Sequence, residues 1–253
     1  MQQPALRPLG FGEILDGAFV LYRRNFAAFL VLAGLPFLPV LAWRLGMASA
    51  DPLGASSMAL EWVMNVVVTG LLGVMASGAL IRATADAYGG RPVDWRASFA
   101  RTRAGYWRLL YATVSMRVRI GLGFIMLIVP GVYLAVHYFA VEQATVLEDV
   151  PSAVARERSE ALANGAEWRI LGMMAVLTAM TYLPAFAQGT VVGVLVGAGY
   201  AVNPHLPAAA TMILAILVLP LTMAAYTLLY YDRRVRVEAM DVHVAMGHLS
   251  VAG

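Results

Sequence analysis

The chain contains no lysine and no cysteine, and it has few charged residues of any kind. Without cysteine there is no disulfide bond, no thiolate chemistry and no cysteine-ligated metal. Charged residues make up 13% of the 253 positions and hydrophobic residues 60%, whereas about a quarter of a soluble domain is charged. With a mean hydropathy of +0.72, this composition predicts an all-α, polytopic membrane protein.

The sequence also lacks the motifs of common catalytic sites. It has no zinc-binding His-Glu-x-x-His helix, no Gly-x-Ser-x-Gly nucleophile turn and no phosphate-binding loop. The four histidines, His137, His205, His243 and His248, are scattered along the chain. We therefore predict no metal site, no cofactor and no enzymatic activity. The isoelectric point of about 9.3 does not indicate a nucleic-acid partner, because the basic residues flank apolar segments and form no continuous soluble face.

All 18 basic residues are arginine, and they are grouped between long apolar runs. The stretches 45–60 and 188–207 contain none. Because cytoplasmic loops of membrane proteins carry an excess of basic residues, this alternation predicts a multi-pass protein of the bacterial inner (cytoplasmic) membrane, with both termini in the cytoplasm. The groups are Arg7, Arg23 and Arg24; Arg82 to Arg108; Arg156, Arg158 and Arg169; and Arg233, Arg234 and Arg236.

Six apolar segments are long enough to cross a bilayer, which takes about 20 helical residues. They lie within a membrane domain at 26–231, between an amphipathic helix at 1–25 and a cytoplasmic tail at 232–253. A tight turn at Pro130 and Gly131 is predicted to join the third segment to the fourth. A rival interpretation makes 120–147 one kinked helix and gives five spans, but it would place later arginines on the opposite side. The six predicted spans are about 26–46, 59–81, 106–129, 131–148, 168–188 and 207–231.

A short amphipathic helix precedes each odd-numbered span, which gives three cytoplasmic interfacial helices. Each is followed by an aromatic residue, twice paired with arginine, where the span begins. Aromatic and arginine side chains at the end of a span favour the headgroup layer. The predicted interfacial anchors are Phe26, Trp107, Arg108, Trp168 and Arg169.

Several polar residues lie inside the predicted spans. Arg117 and Arg119 stand well inside the third, with His137 and Glu142 on the fourth, and a turn at 130/131 would place Arg119 opposite Glu142. A charge at mid-span costs at least about 2.5 kcal/mol unless it is paired. The pair could line a path for an anion or proton, it could lock the hairpin, or the arginines could reach the headgroups independently. Glu61 and Asn65 lie near the outer end of the second span.

Gly189, Gly193 and Gly197 repeat at every fourth position. Such spacing lets helices approach closely, so it predicts packing within the bundle or self-association.

Four stretches of the chain resemble the glycerophosphoryl diester phosphodiesterase membrane-domain family. The resemblance implies a membrane region, and its shared pieces include no catalytic motif. A fused phosphodiesterase barrel needs about 250 residues, so we expect the membrane region alone. Arg117 and Arg119 depart from the family pattern. The stretches are Leu9-Gly-Phe-Gly-Glu-Ile-Leu-Asp16 with Phe19-Val-Leu-Tyr-Arg-Arg-Asn-Phe26, Leu127-Ile-Val-Pro-Gly-Val-Tyr-Leu134, Ala153 to Trp168, and Tyr230-Tyr-Asp-Arg-Arg-Val-Arg236.

Three functions compete at this stage. The first is a non-enzymatic membrane component that organises lipids or partner proteins through its arginine-rich cytoplasmic face. Its partners would be the lipid bilayer, with anionic lipids at that face, and a protein partner or a second copy of the chain. The second is a small-solute transporter or channel that uses Arg117, Arg119 and Glu142. The third is an intramembrane lipid enzyme, which rests on the family resemblance alone.

Overall fold

The computed structural model describes residues 8–50, 60 and 63–251, with side chains for all of these except 65, 66 and 239–251. The structure is 87% helix, and the described part contains no strand. The helices, in chain order, are α1 Phe11–Arg24, α2 Phe26–Gly34, a 3-10 turn Leu35–Phe37, α3 Leu38–Ala50, a π-helical stretch Val63–Val68, α4 Thr69–Tyr88, α5 Trp95–Ala104, α6 Tyr106–Met126, α7 Ile128–His137, α8 Val141–Leu147, α9 Ser152–Ala163, α10 Glu167–Gly197 and α11 His205–Val251.

Four helical segments of the described chain are long and apolar enough to cross a membrane, and they correspond to the first, third, fifth and sixth predicted spans. The all-α class is therefore confirmed, the four candidate spans support a membrane protein, and six crossings stay a prediction. The predicted second span is described from residue 63 onward, as the π-helical stretch followed by α4. The predicted fourth span consists of two short helices, α7 and α8. The four long segments are Phe26–Ala50, Tyr106–Met126, Glu167–Gly197 and His205–Glu238.

The turn between α6 and α7 lies earlier than predicted. The single extended residue is Leu127, with φ −166° and ψ 157°, and Pro130 falls in the first turn of α7. Proline is tolerated in a first turn because the amide it lacks would have no partner inside the helix. Gly131 is buried where the two helices cross, since a Cβ there would lie 2.4 Å from Cγ of Phe124. Glycine is therefore required at 131 for close approach and not for a turn.

Two helices continue past their predicted ends. Helix α10 runs beyond 188 to Gly197, and α11 runs beyond 231 to Val251, so the predicted tail begins as a continuation of the last helix. Pro184 and Pro220 lie inside these helices without ending them. Neighbouring groups can satisfy the carbonyl that such a proline leaves free, which is why prolines inside membrane helices are common.

Each of the three short helices α1, α5 and α9 precedes one of the long apolar segments, Phe26–Ala50, Tyr106–Met126 and Glu167–Gly197. Helix α1 buries Ile14 and Ala18 and packs against α11, whereas Phe19 is half exposed. Helix α5 is capped by Asp94, whose Oδ1 accepts hydrogen bonds from two backbone amides of the first turn at 2.8 and 3.3 Å. Helix α9 buries Ser159 completely.

The close crossing of α6 and α7 can be tested by substituting two glycines, one at the crossing and one away from it. Alanine at Gly131 would force its methyl group into the Phe124 ring, and we expect a loss of about 1–3 kcal/mol, the usual cost of overpacking. Gly121 lies on the exposed side of α6 with nothing within 4 Å of a Cβ. Gly121→Ala should leave stability unchanged or raise it by up to about 1 kcal/mol. Thermal unfolding in detergent measures both, and equal melting temperatures would contradict the crossing.

Candidate functional site

A cavity of about 780 Å³ lies among α4, α10, α11 and the 35–50 segment, with two residues from the α6–α8 region. Much of its wall is apolar, including Phe37, Leu177 and Ile216. Hydroxyl groups are spread over the remainder. The polar and charged residues of the lining are Arg44, Thr69, Ser77, Arg117, Glu142, Thr178, Thr181, Tyr182, Thr211, Thr222 and Tyr226.

The cavity is elongated along α11, from Ala208 at one end to Tyr226 at the other. At 1.5 Å per helical residue this is a length of about 27 Å. Arg44 lies toward the Ala208 end, because the ring of its neighbour Trp43 contacts His205 with centroids 6.4 Å apart. Arg117 and Glu142 are the only lining residues from α6–α8 within the described chain. They lie at the Tyr226 end, because Glu142 interacts electrostatically with Tyr226 and Arg117 lies beside Glu142.

Thr113, Arg117 and Glu142 form what we call the polar floor of the cavity. Nη2 of Arg117 lies 3.8 Å from Oε1 of Glu142, and the Thr113 hydroxyl donates to the same oxygen at 3.1 Å. The Glu142 side chain is 11% exposed and that of Arg117 is 61% exposed. Glu142 is thus a nearly buried carboxylate that shares one oxygen between a hydroxyl and a loosely held guanidinium.

The predicted pairing of Arg119 with Glu142 is wrong. Because the turn lies at Leu127 and not at 130/131, the residues opposite Glu142 are displaced toward the start of α6, at Thr113 and Arg117. Arg119 is exposed and has no acidic partner in the part of the chain that the structure describes.

His137 is separate from the cavity. Its Nδ1 donates to the Tyr133 carbonyl at 2.9 Å, and its ring lies against the Tyr133 ring with centroids 3.9 Å apart. The helix breaks just after it, at residues 138–140. The buried Ser159 of α9 compensates for this break, because its hydroxyl donates to the His137 carbonyl at 2.7 Å and accepts from the Ala140 amide at 3.1 Å. His137 therefore belongs to the packing of α7 on α9.

Irregular backbone borders the cavity at three places. Phe37 lies in the 3-10 turn, Thr69 follows the π-helical stretch and donates from its hydroxyl to the Met64 carbonyl at 2.9 Å, and Glu142 follows the 138–140 break. Inside a membrane, non-helical backbone is tolerated where it is covered by protein or lines a water-filled cavity. All three irregular places border the cavity, as this rule requires of non-helical backbone at membrane depth.

Most arginines of the predicted cytoplasmic face are bound within the chain, and we call them the arginine belt. One centre of the belt is Asp232, whose side chain is fully buried. It lies 3.1 Å from Nη2 of Arg169 and 3.0 Å from Nε of Arg236, and it accepts the Leu9 amide at 2.7 Å. The belt consists of Arg82, Arg91, Arg101, Arg108, Arg158, Arg169, Arg233, Arg234 and Arg236.

A second centre of the belt is Glu148, at the end of α8. It lies 3.1 Å from Nε of Arg158 and 3.7 Å from Nη1 of Arg234, and it accepts the Tyr230 hydroxyl. Glu238 pairs with both of these arginines. Three elements, α8, α9 and α11, are therefore joined by one network of charges.

The remaining acidic centres are Asp149 and Asp86. Asp149 binds Arg108 and lies 3.6 Å from Nη2 of Arg82, while Asp86 binds Arg91 at 2.7 Å and also Arg101. Burial by itself would raise the pKa of Asp86, but the hydrogen bonds and charges of the two arginines outweigh it and hold that pKa below its ordinary value. The contribution of this carboxylate to stability is present at neutral pH and is lost as the pH falls through the lowered pKa.

The predicted interfacial anchors are placed in two ways. Phe26, Trp107 and Trp168 are exposed, the last two by 78% and 85%, as aromatic side chains facing a headgroup layer would be. Arg108 and Arg169 are instead bound to acidic residues of the belt.

Within the described chain, the glycine stripe does not pack against the bundle. Nothing among the described residues lies within 4 Å of a Cβ built on Gly189, Gly193 or Gly197, because the second half of α10 is largely exposed. The described residues therefore do not show the predicted intramolecular packing. Glu61 and the side chain of Asn65 lie outside the described residues.

Sequence reasoning missed the hydroxyl-rich wall and Asp232. The sequence contained a weak indication of the wall, because Thr178 and Thr181 lie about one turn apart on a predicted span. On α4, Ser77 and the small residue Gly73 have a similar spacing. Asp232 stands four residues before Arg236, a spacing that indicates only a local pair. Among the described residues no three of His, Asp and Glu come together as a metal site requires.

No family model, no curated protein and no solved structure matches the chain.

The polar floor predicts a thermodynamic coupling between Arg117 and Glu142. In a double-mutant cycle, Arg117→Leu and Glu142→Gln should be non-additive by about 0.5–3 kcal/mol, because each removes the partner of the other. Arg119→Leu is the matched control on the same helix, and its effect should add to that of Glu142→Gln within about 0.5 kcal/mol. Unfolding in detergent gives all the values. Coupling at Arg119 and none at Arg117 would contradict the observed register.

Proposed function

We propose that this membrane protein binds a small amphiphilic solute in the cavity and acts as a transporter or carrier, the second of the functions considered from sequence. The observation that carries the proposal is the polar floor at the end of a cavity between membrane-spanning helices. Ionisable residues inside membrane segments mark substrate or ion pathways by default, because they are expensive to keep there. A volume of about 780 Å³ also falls in the range of ligand sites, about 300–1,000 Å³.

An apolar groove adjoins the cavity, and it favours an amphiphilic ligand rather than a purely polar one. The groove has a volume of about 390 Å³, lies between the α2–α3 segment and α11, and is lined only by apolar residues and Gly34. Ile216 lines both the groove and the cavity. A molecule with a polar head and an apolar chain could therefore place the head among the hydroxyls and the chain in the groove.

We propose that the protein has six membrane-inserted segments and that both termini lie in the cytoplasm of a bacterial cell. The support is the arginine belt, which gathers Leu9 just before α1, α5, α9 and the later part of α11 at one end of the bundle. The amphipathic helices would lie at that membrane surface. Membership of the glycerophosphoryl diester phosphodiesterase membrane-domain family remains a proposal from the sequence resemblance, and the absence of enzymatic activity remains a prediction.

The cavity is tested by filling it. Gly70 lines the cavity and has nothing within 4 Å of a Cβ, so Gly70→Leu should occupy ligand space without a clash. Gly193→Leu is the control, because that glycine is equally open but lies away from the cavity. The protein is purified gently from membranes, and its bound lipids and amphiphiles are quantified by mass spectrometry.

We expect the wild type and the Gly193→Leu variant to retain the same bound species, and the Gly70→Leu variant to lose it several-fold. Melting temperatures of the three proteins show whether a loss reflects misfolding. Equal retention by all three folded proteins would contradict the proposal.

A specific observation also favours the lipid-organising function as a second candidate. Arg23, Arg24 and Arg103 are exposed and have no acidic partner in the described part of the chain, so they remain able to attract anionic lipids at about 1 kcal/mol each. The same mass spectrometry on Arg23→Gln with Arg24→Gln should show fewer anionic lipids and an unchanged cavity ligand. An unchanged anionic fraction would contradict this second function.

A further inference from the structure

We propose that the α6–α7 hairpin does not cross the membrane: it enters from the cytoplasmic side, turns near the middle of the bilayer and returns, so that its tip contacts lipid acyl chains. The tip is defined here as residues 125–129. The inference rests on the proposed topology, in which the arginine belt and α9 lie at the cytoplasmic boundary.

Both arms of the hairpin are tied to α9. On the first arm, the hydroxyl oxygens of Ser115 and Ser152 lie 3.2 Å apart. On the second arm, the Ser159 hydroxyl donates to the His137 carbonyl. Ser115 and His137 therefore lie at the level of α9.

Helix α9 in turn lies at the level of the belt. Arg233 donates from Nε to the Leu162 carbonyl at 2.7 Å and from Nη2 to the Asn164 carbonyl at 3.1 Å. Arg158 of α9 binds Glu148 and Glu238. The outer side of α9 exposes Glu157 and Glu160, which belong in water.

Beyond α9 the arms are short. From Ser115 to the end of α6 at Met126, and from the start of α7 at Ile128 to His137, a rise of 1.5 Å per residue gives about 14–17 Å. The hydrocarbon core is about 30 Å thick. Counted from α9, the arms therefore reach only about half-way, and the part of α6 before Ser115, with Trp107 and Arg108, lies outside the hydrocarbon core on the belt side.

The tip has the surface of a segment surrounded by hydrocarbon. Ile125, Met126, Leu127, Ile128 and Val129 are each 70% exposed or more, up to 81%. No charged residue occurs between 120 and 141, whereas turns in water favour Asn, Asp, Ser and Gly. Placing five large apolar side chains in water would forfeit the free energy that their burial in lipid gives.

The backbone of Leu127, the tip residue outside a helix, is hydrogen-bonded, which matters in hydrocarbon because unsatisfied polar groups are costly there. The Leu127 amide donates to the Gly123 carbonyl at 3.0 Å, and the Gly131 amide donates to the Leu127 carbonyl at 3.3 Å. The one non-helical residue is therefore bonded through both of its backbone groups, and Pro130 has no amide to satisfy.

The cavity agrees with a short hairpin. Above the polar floor its walls come from the 35–50 segment, α4, α10 and α11, while α6–α8 contribute only Arg117 and Glu142. Arg119 lies four residues past Ser115 and is therefore about 6 Å deeper in the bilayer than Ser115. From that depth its long side chain can reach the cytoplasmic headgroups. The exposed Arg119 is then no longer an unpaired charge at the bilayer centre.

The test places nitroxide labels on single cysteines, which the cysteine-free chain allows without background. The full protein is reconstituted in phospholipid vesicles with a label at Ile128, at the tip, or at Ala201 or Glu160, which are exposed on the outer loop and on α9. Electron paramagnetic resonance measures collision with oxygen, which concentrates in hydrocarbon, and with a water-soluble nickel chelate. An impermeant maleimide applied to each side of the membrane reports sidedness at the same three cysteines.

At Ile128 we expect high oxygen collision, nickel collision near background and no maleimide reaction from either side. Nickel collision at Ile128 comparable with that at Ala201, or maleimide reaction from the outside, would mean that the hairpin crosses, and would overturn the inference while leaving the cavity proposal intact. Reaction of Ala201 and Glu160 from the same side would overturn the topology and the inference together. Melting temperatures of the labelled proteins confirm that each is folded.

Discussion

The cost of placing charge in hydrocarbon governs this structure. The chain neutralises most arginines of the belt with its own carboxylates, at Asp232, Glu148, Asp149 and Asp86, and collects them at one end of the bundle. Because Asp232 also binds the Leu9 amide, the same network attaches the segment just before α1 to α11. The belt therefore fixes the level of the short helices, and through α9 it fixes how far the α6–α7 hairpin extends.

The polar floor is the exception that gives the molecule a candidate function. Arg117 and Glu142 are held away from the belt, in loose contact at 3.8 Å, at the end of a cavity lined by hydroxyls. A tightly paired structural bridge would have short, direct hydrogen bonds. A loose pair beside open volume leaves both groups able to bind a solute, which is why the transporter function is favoured over a purely structural one.

Local patterns predicted some features well and failed where distant residues decide. Apolar length located four long helices. The Pro130-Gly131 pair resembles a turn locally, but the observed turn at Leu127 depends on how Gly131 meets Phe124 across the hairpin. Because the turn is displaced, Arg117 lies beside Glu142 in the structure, where the sequence had predicted Arg119. Gly189, Gly193 and Gly197 predicted packing, yet no described residue lies within 4 Å of a Cβ at these positions. Asp232 gains its role from a contact 223 residues away in sequence.

We propose that the cavity, which ends at Arg117 and Glu142, opens toward its Ala208 end, away from the arginine belt. The most direct test is the reactivity of a cysteine at Thr222, which lines the cavity, toward a small impermeant thiosulfonate applied to either side of sealed vesicles. A cysteine at Ala225, buried on the same helix outside the cavity lining, is the control. We predict reaction of the Thr222→Cys protein from the outer side only and no reaction of the Ala225→Cys protein. Reaction of Thr222→Cys from the belt side, or from neither side, would contradict the account.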